Sequence, residues 1–123
     1  MAILGIGIDL IEVARIKQAI ERYGERFKNR IFSKAEQEFC EAQNGKYLSY
    51  AARFAAKEAF SKALGTGLRG KISWLDVNVI DNENSPPHLE IKGRAKTILA
   101  NGKILVSITH TQDYASAVVI IEK

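Results

Sequence analysis

The segment from Lys46 to Leu64 constrains the fold of this chain more than any other. It carries an uninterrupted helical pattern, and Gly65 follows in the position where a left-handed residue commonly closes a helix. At about 100° per residue, one narrow arc holds mostly alanine: Leu48, Ala52, Ala55, Ala56, Ala59 and Ala63. Small side chains allow close backbone approach, so the pattern predicts a central helix clamped in the core. The opposite arc is predicted to be the polar face: Arg53, Lys57, Glu58, Ser61 and Lys62.

The segments around this helix predict short strands and shorter helices. Strands are expected over five segments: Ile3–Asp9, Trp74–Asp81, His88–Lys92, Ile104–Thr109 and Tyr114–Ile121. Three further helices are expected: Ile11–Phe27 with an interruption at Gly24, Ser33–Gln43 with a capping box from Ser33 and Glu36, and Gly93–Ala100. Turn residues fill Asp81–Pro87, and Thr111–Asp113 predicts a hairpin between the last two strands. The fold class is therefore α+β, with a mostly antiparallel sheet packed on one long central helix.

Length and composition favour an ordinary globular protein. The 123 residues suffice for one core and contain no linker, so a single domain over residues 1–123 is expected. No apolar run is long enough to cross a bilayer, and Met1–Ile8 lacks the basic residues of a secretory signal. Cys40 is the only cysteine, which excludes an internal disulfide. A cytoplasmic location is expected, without a membrane partner.

Positive charge is concentrated in one segment. The net charge is +4, and residues 15–34 hold seven basic side chains against two acidic ones, which gives +5 locally. Such a flank fits an acidic partner or an anionic substrate, because clustered like charge raises encounter rates. A merely solvated helix face remains an equal alternative.

Two familiar motifs lack their required context. Gly65, Gly67 and Gly70 match the glycine spacing of dinucleotide-binding folds but follow a helix instead of opening one, so a helix cap and loop are favoured. Ser107, His110 and Asp113 come without a nucleophile elbow, so acyl-enzyme chemistry is not expected.

Asp9 and Glu58 form a candidate metal pair. One carboxylate from each of two rigid elements suits Mg²⁺, which keeps several waters and takes its other oxygens from phosphates. The structural alternatives are a Glu58–Lys62 helix pair and Asp9 as a helix cap. Lys57, Lys62, Arg53 and His110 would add a cation-rich surround of the kind that polyphosphate needs.

Three motifs together resemble the holo-[acyl-carrier-protein] synthase family, the short type of 4′-phosphopantetheinyl transferase. The first is Gly7-Ile8-Asp9 continuing to Arg15-Ile16, the second is Phe54–Ala63 with its Lys57-Glu58 step, and the third is Ser107–His110. Each is weak alone, but their order and separations in a chain of this length are specific. The resemblance extends from about residue 3 to residue 121 and implies the corresponding fold.

The resemblance implies transfer of the 4′-phosphopantetheine arm from coenzyme A to a serine of apo acyl carrier protein, with release of adenosine 3′,5′-bisphosphate. By similarity, Asp9 and Glu58 would hold Mg²⁺, and Lys62 would steady the transferred phosphate or leaving group. The general base stays open between Glu58 and a metal-bound water. The coenzyme A contacts implied besides Lys62 are Arg53 and His110 at the 3′-phosphate, with Thr109, Gly65, Pro86 and Pro87 nearby.

The resemblance also implies partners. Arg15, Arg22 and Arg26 would dock an acidic carrier protein, and active sites would lie between the subunits of a homotrimer. The competing hypotheses are a small basic module for RNA or another polyanion, for which no base-reading motif is present, and a non-catalytic interaction protein. A nucleic-acid partner is therefore not expected.

Overall fold

The computed structural model of the chain describes residues 2–68, 70–82 and 84–123. Its helices and strands follow one another in this order: β1 (Ile3–Glu12), α1 (Val13–Tyr23), α2 (Glu25–Ile31), α3 (Lys34–Glu41), α4 (Lys46–Leu64), β2 (Val77–Asn82), β3 (Ser85–Ile91), α5 (Gly93–Leu99), β4 (Lys103–His110) and β5 (Tyr114–Glu122). A short 3₁₀ turn at Trp74–Asp76 precedes β2.

The strands form two antiparallel sheets. One has the order β1-β5-β4, and β2 and β3 make a separate two-stranded sheet. The predicted hairpin between the last two strands is confirmed by the β4–β5 pairing. Helix α4 spans Lys46–Leu64 as predicted, and Gly65 closes it at φ 84° in the left-handed region. The α+β fold with one long central helix is thus confirmed.

Strand β1 lies directly against the alanine side of α4. A Cβ atom at Gly5 would overlap the carbonyl oxygen of Ala63, and one at Gly7 would overlap that of Ala59. Only glycine permits this approach, so the close backbone packing predicted from the alanine stripe is confirmed.

Alternation along β1 separates two faces. Gly5, Gly7 and Asp9 face α4, whereas the intervening apolar side chains are exposed on the opposite face: Leu4, Ile6, Ile8 and Leu10. Asp9 was expected to end its strand, but β1 continues to Glu12 and Asp9 pairs with Ala117. The carboxylate is therefore presented from a strand interior.

The second side of α4 is buried too, which corrects the predicted polar face. Arg53, Lys57 and Ser61 lie in the interior, because the segment from α1 to α3 covers this side of the helix. The space between α4 and the segment from α1 to α3 is filled by one core cluster: Ile16, Ile20, Ile31, Phe32, Cys40, Tyr50, Ala51, Ala52 and Ala115. Helix α4 is thus enclosed by the sheet on one side and by helices on another.

The remaining boundaries show where local signals compete. Gly24, at φ 59°, separates α1 from α2, and the capping box of Ser33 and Glu36 opens α3, as predicted. The strand predicted over Trp74–Asp81 begins only at Val77, because a capping box from Ser73 and Asp76 sets the 3₁₀ turn. The turn predicted over Asp81–Pro87 is shorter, since Ser85, Pro86 and Pro87 belong to β3, where proline is tolerated at a sheet edge.

In the part of the chain that the structure describes, no helix combines the length and apolarity needed to span a membrane.

Candidate functional site

Asp9 and Lys62 meet where β1 crosses α4. The ammonium Nζ of Lys62 lies 3.2 Å from Oδ1 of Asp9 and donates to the carbonyl oxygen of Ile8 at 3.0 Å. The Asp9 side chain is 15% exposed, while that of Lys62 is 51% exposed. Asp9 is not the cap of the following helix, since Glu12 occupies that position without a side-chain cap bond. The pair is open to solvent on its lysine side.

Glu58 and Lys62 lie one helical turn apart and line a common cavity of about 580 Å³. We call it the Glu58 cavity, and its other lining residues are Arg30, Phe54, Ser61, Thr66, Gly67, Leu68 and Trp74. Lys62 thus joins the carboxylate of Asp9 to the cavity that holds Glu58. Two carboxylates and an ammonium from β1 and α4 are brought to one region of the surface.

A second cavity, of about 400 Å³, holds other predicted residues. We call it the Arg53 cavity; Arg53, His110 and Pro87 line it together with Phe39, Gln43, Gly45, Leu48, Ser49, Ala52, Val79, Asp81 and Ile108. The Arg53 guanidinium donates to Ser49 at 2.9 Å and lies 3.6 Å from the Asp81 carboxylate. Its Nε is buried without a protein hydrogen-bond partner. A cationic group, a histidine and an unfilled donor suit an anionic ligand.

The two cavities open on different sides of α4. Arg53 and Glu58 are five residues apart, so their side chains leave the helix in directions that differ by about 140° around its axis. One chain therefore does not gather Asp9, Glu58 and Lys62 with Arg53 and His110 in a single cavity.

Three other predicted residues lie beside these cavities but are not among their lining residues. Gly65 caps α4, and its neighbours Thr66 and Gly67 line the Glu58 cavity. Pro86 and Thr109 occupy alternate strand positions next to Pro87 and His110, which do line the Arg53 cavity. Neighbouring residues of a strand face opposite ways. In the pairs Pro86–Pro87 and Thr109–His110, the second residue is therefore the one placed to contact a ligand in the Arg53 cavity.

The basic flank is exposed. Arg15 and Arg22 lie seven residues apart on α1, and Arg26 lies on α2; all three side chains are accessible. The Arg22 guanidinium covers the ring of Tyr23, with 5.4 Å between its carbon and the ring centroid. These arginines can meet an acidic partner without rearrangement of the core.

One buried ion pair could not be predicted from the sequence. Lys57, expected among the cations of the site, is instead fully buried, and its Nζ lies 2.7 Å from Oε1 of Glu36. Burial lowers the pKa of Lys57, and the Glu36 carboxylate opposes that shift. The spacing of Ser33 and Glu36 signalled a capping box, but nothing in the local pattern signalled that Glu36 would also receive a lysine from α4.

The donor set fits a hard divalent cation. Carboxylate oxygens are the ligands that Mg²⁺ prefers, and this ion commonly takes only one or two protein carboxylates, with waters and substrate phosphates completing its coordination. Asp9 and Glu58 would supply those two. No group of three or more histidine, cysteine or acidic side chains suited to a metal occurs among the described residues, so a cage made only of protein ligands is not what these residues offer.

Known proteins of one family match the whole of this architecture. The family model described as the 4′-phosphopantetheinyl transferase superfamily matches residues 5–119. The chain is 47% identical over 114 residues to the holo-[acyl-carrier-protein] synthase of Protochlamydia amoebophila, covering 93% of each chain. It is 42% identical over 120 residues to that of Chlamydia felis, covering 98% of each.

Solved structures of proteins from this family have a similar fold. The holo-[acyl-carrier-protein] synthase of Neisseria meningitidis superimposes with a TM-score of 0.90 at 30% identity, covering 99% of this chain and 100% of that one. The Helicobacter pylori synthase, solved in complex with coenzyme A, gives a TM-score of 0.84 at 31% identity, covering 95% of this chain and 99% of the other.

Proposed function

Because the chain belongs to the 4′-phosphopantetheinyl transferase superfamily, as a phosphopantetheinyl transferase of the holo-[acyl-carrier-protein] synthase family, we propose that it modifies apo acyl carrier protein with the arm of coenzyme A. The reaction joins the serine oxygen of the carrier protein to the phosphorus that bears the pantetheine group. The bond from that phosphorus to the bridging oxygen breaks, and adenosine 3′,5′-bisphosphate leaves. The carrier protein so modified would serve fatty acid biosynthesis in the cytoplasm.

The observation that carries the proposal is the position of Lys62, which pairs with Asp9 at the β1–α4 crossing and lines a common cavity with Glu58. Asp9 and Glu58 would hold Mg²⁺, which when bound supplies a divalent charge for the pyrophosphate oxygens and the leaving group. The Lys62 side chain is half exposed, so its ammonium can exchange part of its contact with Asp9 for a phosphate oxygen. Glu58, which lines the cavity, is the candidate side chain of this chain for accepting the serine proton. Catalysis would rest on positioning and charge, without a covalent enzyme intermediate.

The Arg53 cavity would take the nucleotide end of coenzyme A. The Arg53 guanidinium is already oriented by Ser49 and Asp81, and its buried Nε lacks a protein partner. His110 lies at the end of β4 in the same cavity, with Pro87 in its wall. A 3′-phosphate placed there would receive charge-assisted hydrogen bonds from a donor set that is fixed before binding.

A homotrimer is proposed on two grounds. The exposed face of β1 carries Ile6, Ile8 and Leu10, each more than 60% accessible. The exposed Leu105 of β4 lies across the same sheet, with Ile120 of β5 between it and Ile6. Contiguous apolar patches of this kind mark interfaces between proteins. In addition, the Glu58 and Arg53 cavities face different ways on one chain, so subunit contact is a means of joining the Glu58 cavity of one copy to the Arg53 cavity of the next.

Arg15, Arg22 and Arg26 would dock the carrier protein. They are exposed on consecutive helices within the segment that concentrates the positive charge of the chain. Charge complementarity of this kind raises the association rate and selects the partner. The polyanion-binding alternative is not favoured, since that class of protein needs no Asp9–Lys62 pair.

The test is intact mass spectrometry of apo acyl carrier protein incubated with the enzyme, coenzyme A and Mg²⁺. A mass gain of one phosphopantetheine group is expected, and EDTA should abolish it. The control for the competing hypothesis is binding of a generic RNA over a range of salt concentrations. No mass gain under any metal condition, together with salt-sensitive RNA binding that survives Asp9→Ala, would overturn the proposal.

A further inference from the structure

Buried Lys57 is adjacent in sequence to Glu58, yet it faces the interior. Its Nζ contacts three acceptors: Oε1 of Glu36 at 2.7 Å, the carbonyl oxygen of Ile31 at 2.7 Å and that of Trp74 at 3.2 Å. An ammonium group has three N–H donors, so this set satisfies its hydrogen-bonding capacity. Lys57 therefore has no free donor to offer a substrate.

The Glu36 carboxylate is satisfied as fully as its partner. Besides Lys57, its Oε1 accepts from the backbone N–H of Ser33 at 2.8 Å, and its Oε2 accepts from that of Val79 at 2.8 Å. Glu36 is 2% exposed. The carboxylate thus fixes the start of α3 to strand β2 and holds the lysine between them.

Two of the Lys57 acceptors belong to segments that form the walls of the Glu58 cavity. Ile31 directly follows Arg30, which lines that cavity, and Trp74 lines it as well. The Trp74 ring packs against Phe54, a third lining residue, with 4.8 Å between the ring centroids. A single ammonium therefore joins the helix that carries Glu58 and Lys62 to the end of α2 and to the 3₁₀ turn.

We infer that Lys57, held by Glu36, is a positioning residue that sets the Arg30 and Trp74 walls of the Glu58 cavity relative to Glu58 and Lys62. This rests on the proposed function, since it assigns the cavity to the reacting phosphate and the incoming serine. Neither Lys57 nor Glu36 touches substrate. Misplacing the walls would impair alignment of the reacting groups, and it would leave the nucleotide in the Arg53 cavity unaffected.

The test compares Lys57→Met with Ser33→Ala as a matched control. The Ser33 hydroxyl accepts from the Glu36 backbone at 3.1 Å and donates to Asn78 at 2.8 Å, so its loss weakens the same cluster without touching either cavity wall. We expect Lys57→Met to lower kcat about tenfold or more with less than twofold change in the KM for coenzyme A. Ser33→Ala should keep kcat within about twofold, since the contacts of Lys57 with Ile31 and Trp74 remain.

Trp74 supplies a readout that does not depend on activity, because it is the only tryptophan of the chain. In folded Lys57→Met, acrylamide quenching of its fluorescence should rise above the values of the native protein and of Ser33→Ala. If Lys57→Met does not fold, Glu36→Gln replaces it in the test. We then expect the same fall in kcat and the same rise in quenching, each smaller in size. A folded variant with native kcat and native quenching would overturn the inference. If the native enzyme transfers no phosphopantetheine, the proposed function fails, and the quenching comparison alone decides the positioning role.

Discussion

Two lysines on α4, five residues apart, each pair with a carboxylate, but in opposite environments. Lys57 is completely buried and holds Glu36 at 2.7 Å among backbone carbonyls. Lys62 has half of its side chain exposed and holds Asp9 at 3.2 Å beside a cavity. The first pair has no capacity left for a ligand, whereas the second can exchange contacts with one. Burial, more than the residue types, separates a lysine that orders the fold from a lysine available for chemistry.

The largest expected effect is on stability at the buried pair. Lys57→Met leaves the Glu36 carboxylate uncompensated in the interior, which should lower the free energy of unfolding by about 3–5 kcal/mol. The matched variant Lys62→Met removes a half-exposed pair and should cost less than about 1 kcal/mol. Urea denaturation of both variants measures the difference. Equal losses would remove the distinction between the two pairs.

The next effect should appear in activity at the open pair. Asp9→Asn keeps the size of the side chain but removes the charge that would hold the cation, so kcat should fall about 10²-fold or more. The melting temperature should change little, since the Lys62 side of the pair is half exposed. Transfer rates and thermal unfolding are measured on the same preparation. A full rate in Asp9→Asn would exclude this carboxylate from the reaction.

A pH dependence should mark the enclosed side of α4. Burial of the Tyr50 hydroxyl, together with its 2.6 Å hydrogen bond to Glu41, raises the pKa of Tyr50 well above its usual range. The folded state then keeps the proton that the unfolded chain loses above about pH 10, so this contribution to stability is present below that pH and is lost as pH rises. The extra loss in native protein relative to Tyr50→Phe should increase with pH and approach about 1.4 kcal/mol per pH unit above pH 10. Parallel denaturation curves from pH 9 to 11 test it, and identical slopes would refute it.

The smallest effect should come from the exposed basic flank. Arg15→Glu should raise the KM for carrier protein about fivefold and leave the KM for coenzyme A unchanged, because a surface charge mainly affects encounter. Lys92→Glu is the control, since it makes the same charge change outside the basic segment. Steady-state kinetics with each substrate varied in turn provide the measurement. If Arg15→Glu and Lys92→Glu raised the KM for carrier protein equally, Arg15 would act only through the net charge of the protein.

Local patterns predicted the parts of the fold that local forces determine. Helix α4 follows from its alanine stripe and the left-handed Gly65, and α3 follows from the Ser33–Glu36 capping box. Residue types grouped Asp9 with Glu58 and Lys62 as a candidate site, but no local pattern determines how β1 meets α4. In the structure the contact between Asp9 and Lys62 depends on Gly5 and Gly7, which let β1 approach α4 closely enough for the two side chains to meet.

Other features depend on contacts between distant segments. A single amphipathic face was assumed for α4, but the helix is enclosed on two sides, so Arg53 and Lys57 are buried where a polar surface was expected. At Trp74–Asp76 the strand pattern was overridden by the Ser73 cap. No sequence spacing could indicate that Lys57 reaches carbonyl oxygens at the ends of two other elements.

The most direct test of the central claim, that Asp9 and Glu58 together hold a divalent cation, is Mn²⁺ binding followed by electron paramagnetic resonance in the presence of coenzyme A. Native enzyme should bind Mn²⁺ in competition with Mg²⁺, and Asp9→Ala/Glu58→Ala should not. Lys92→Glu, altered far from both carboxylates in sequence, should bind as native does. Undiminished Mn²⁺ binding by the folded double variant would contradict the claim.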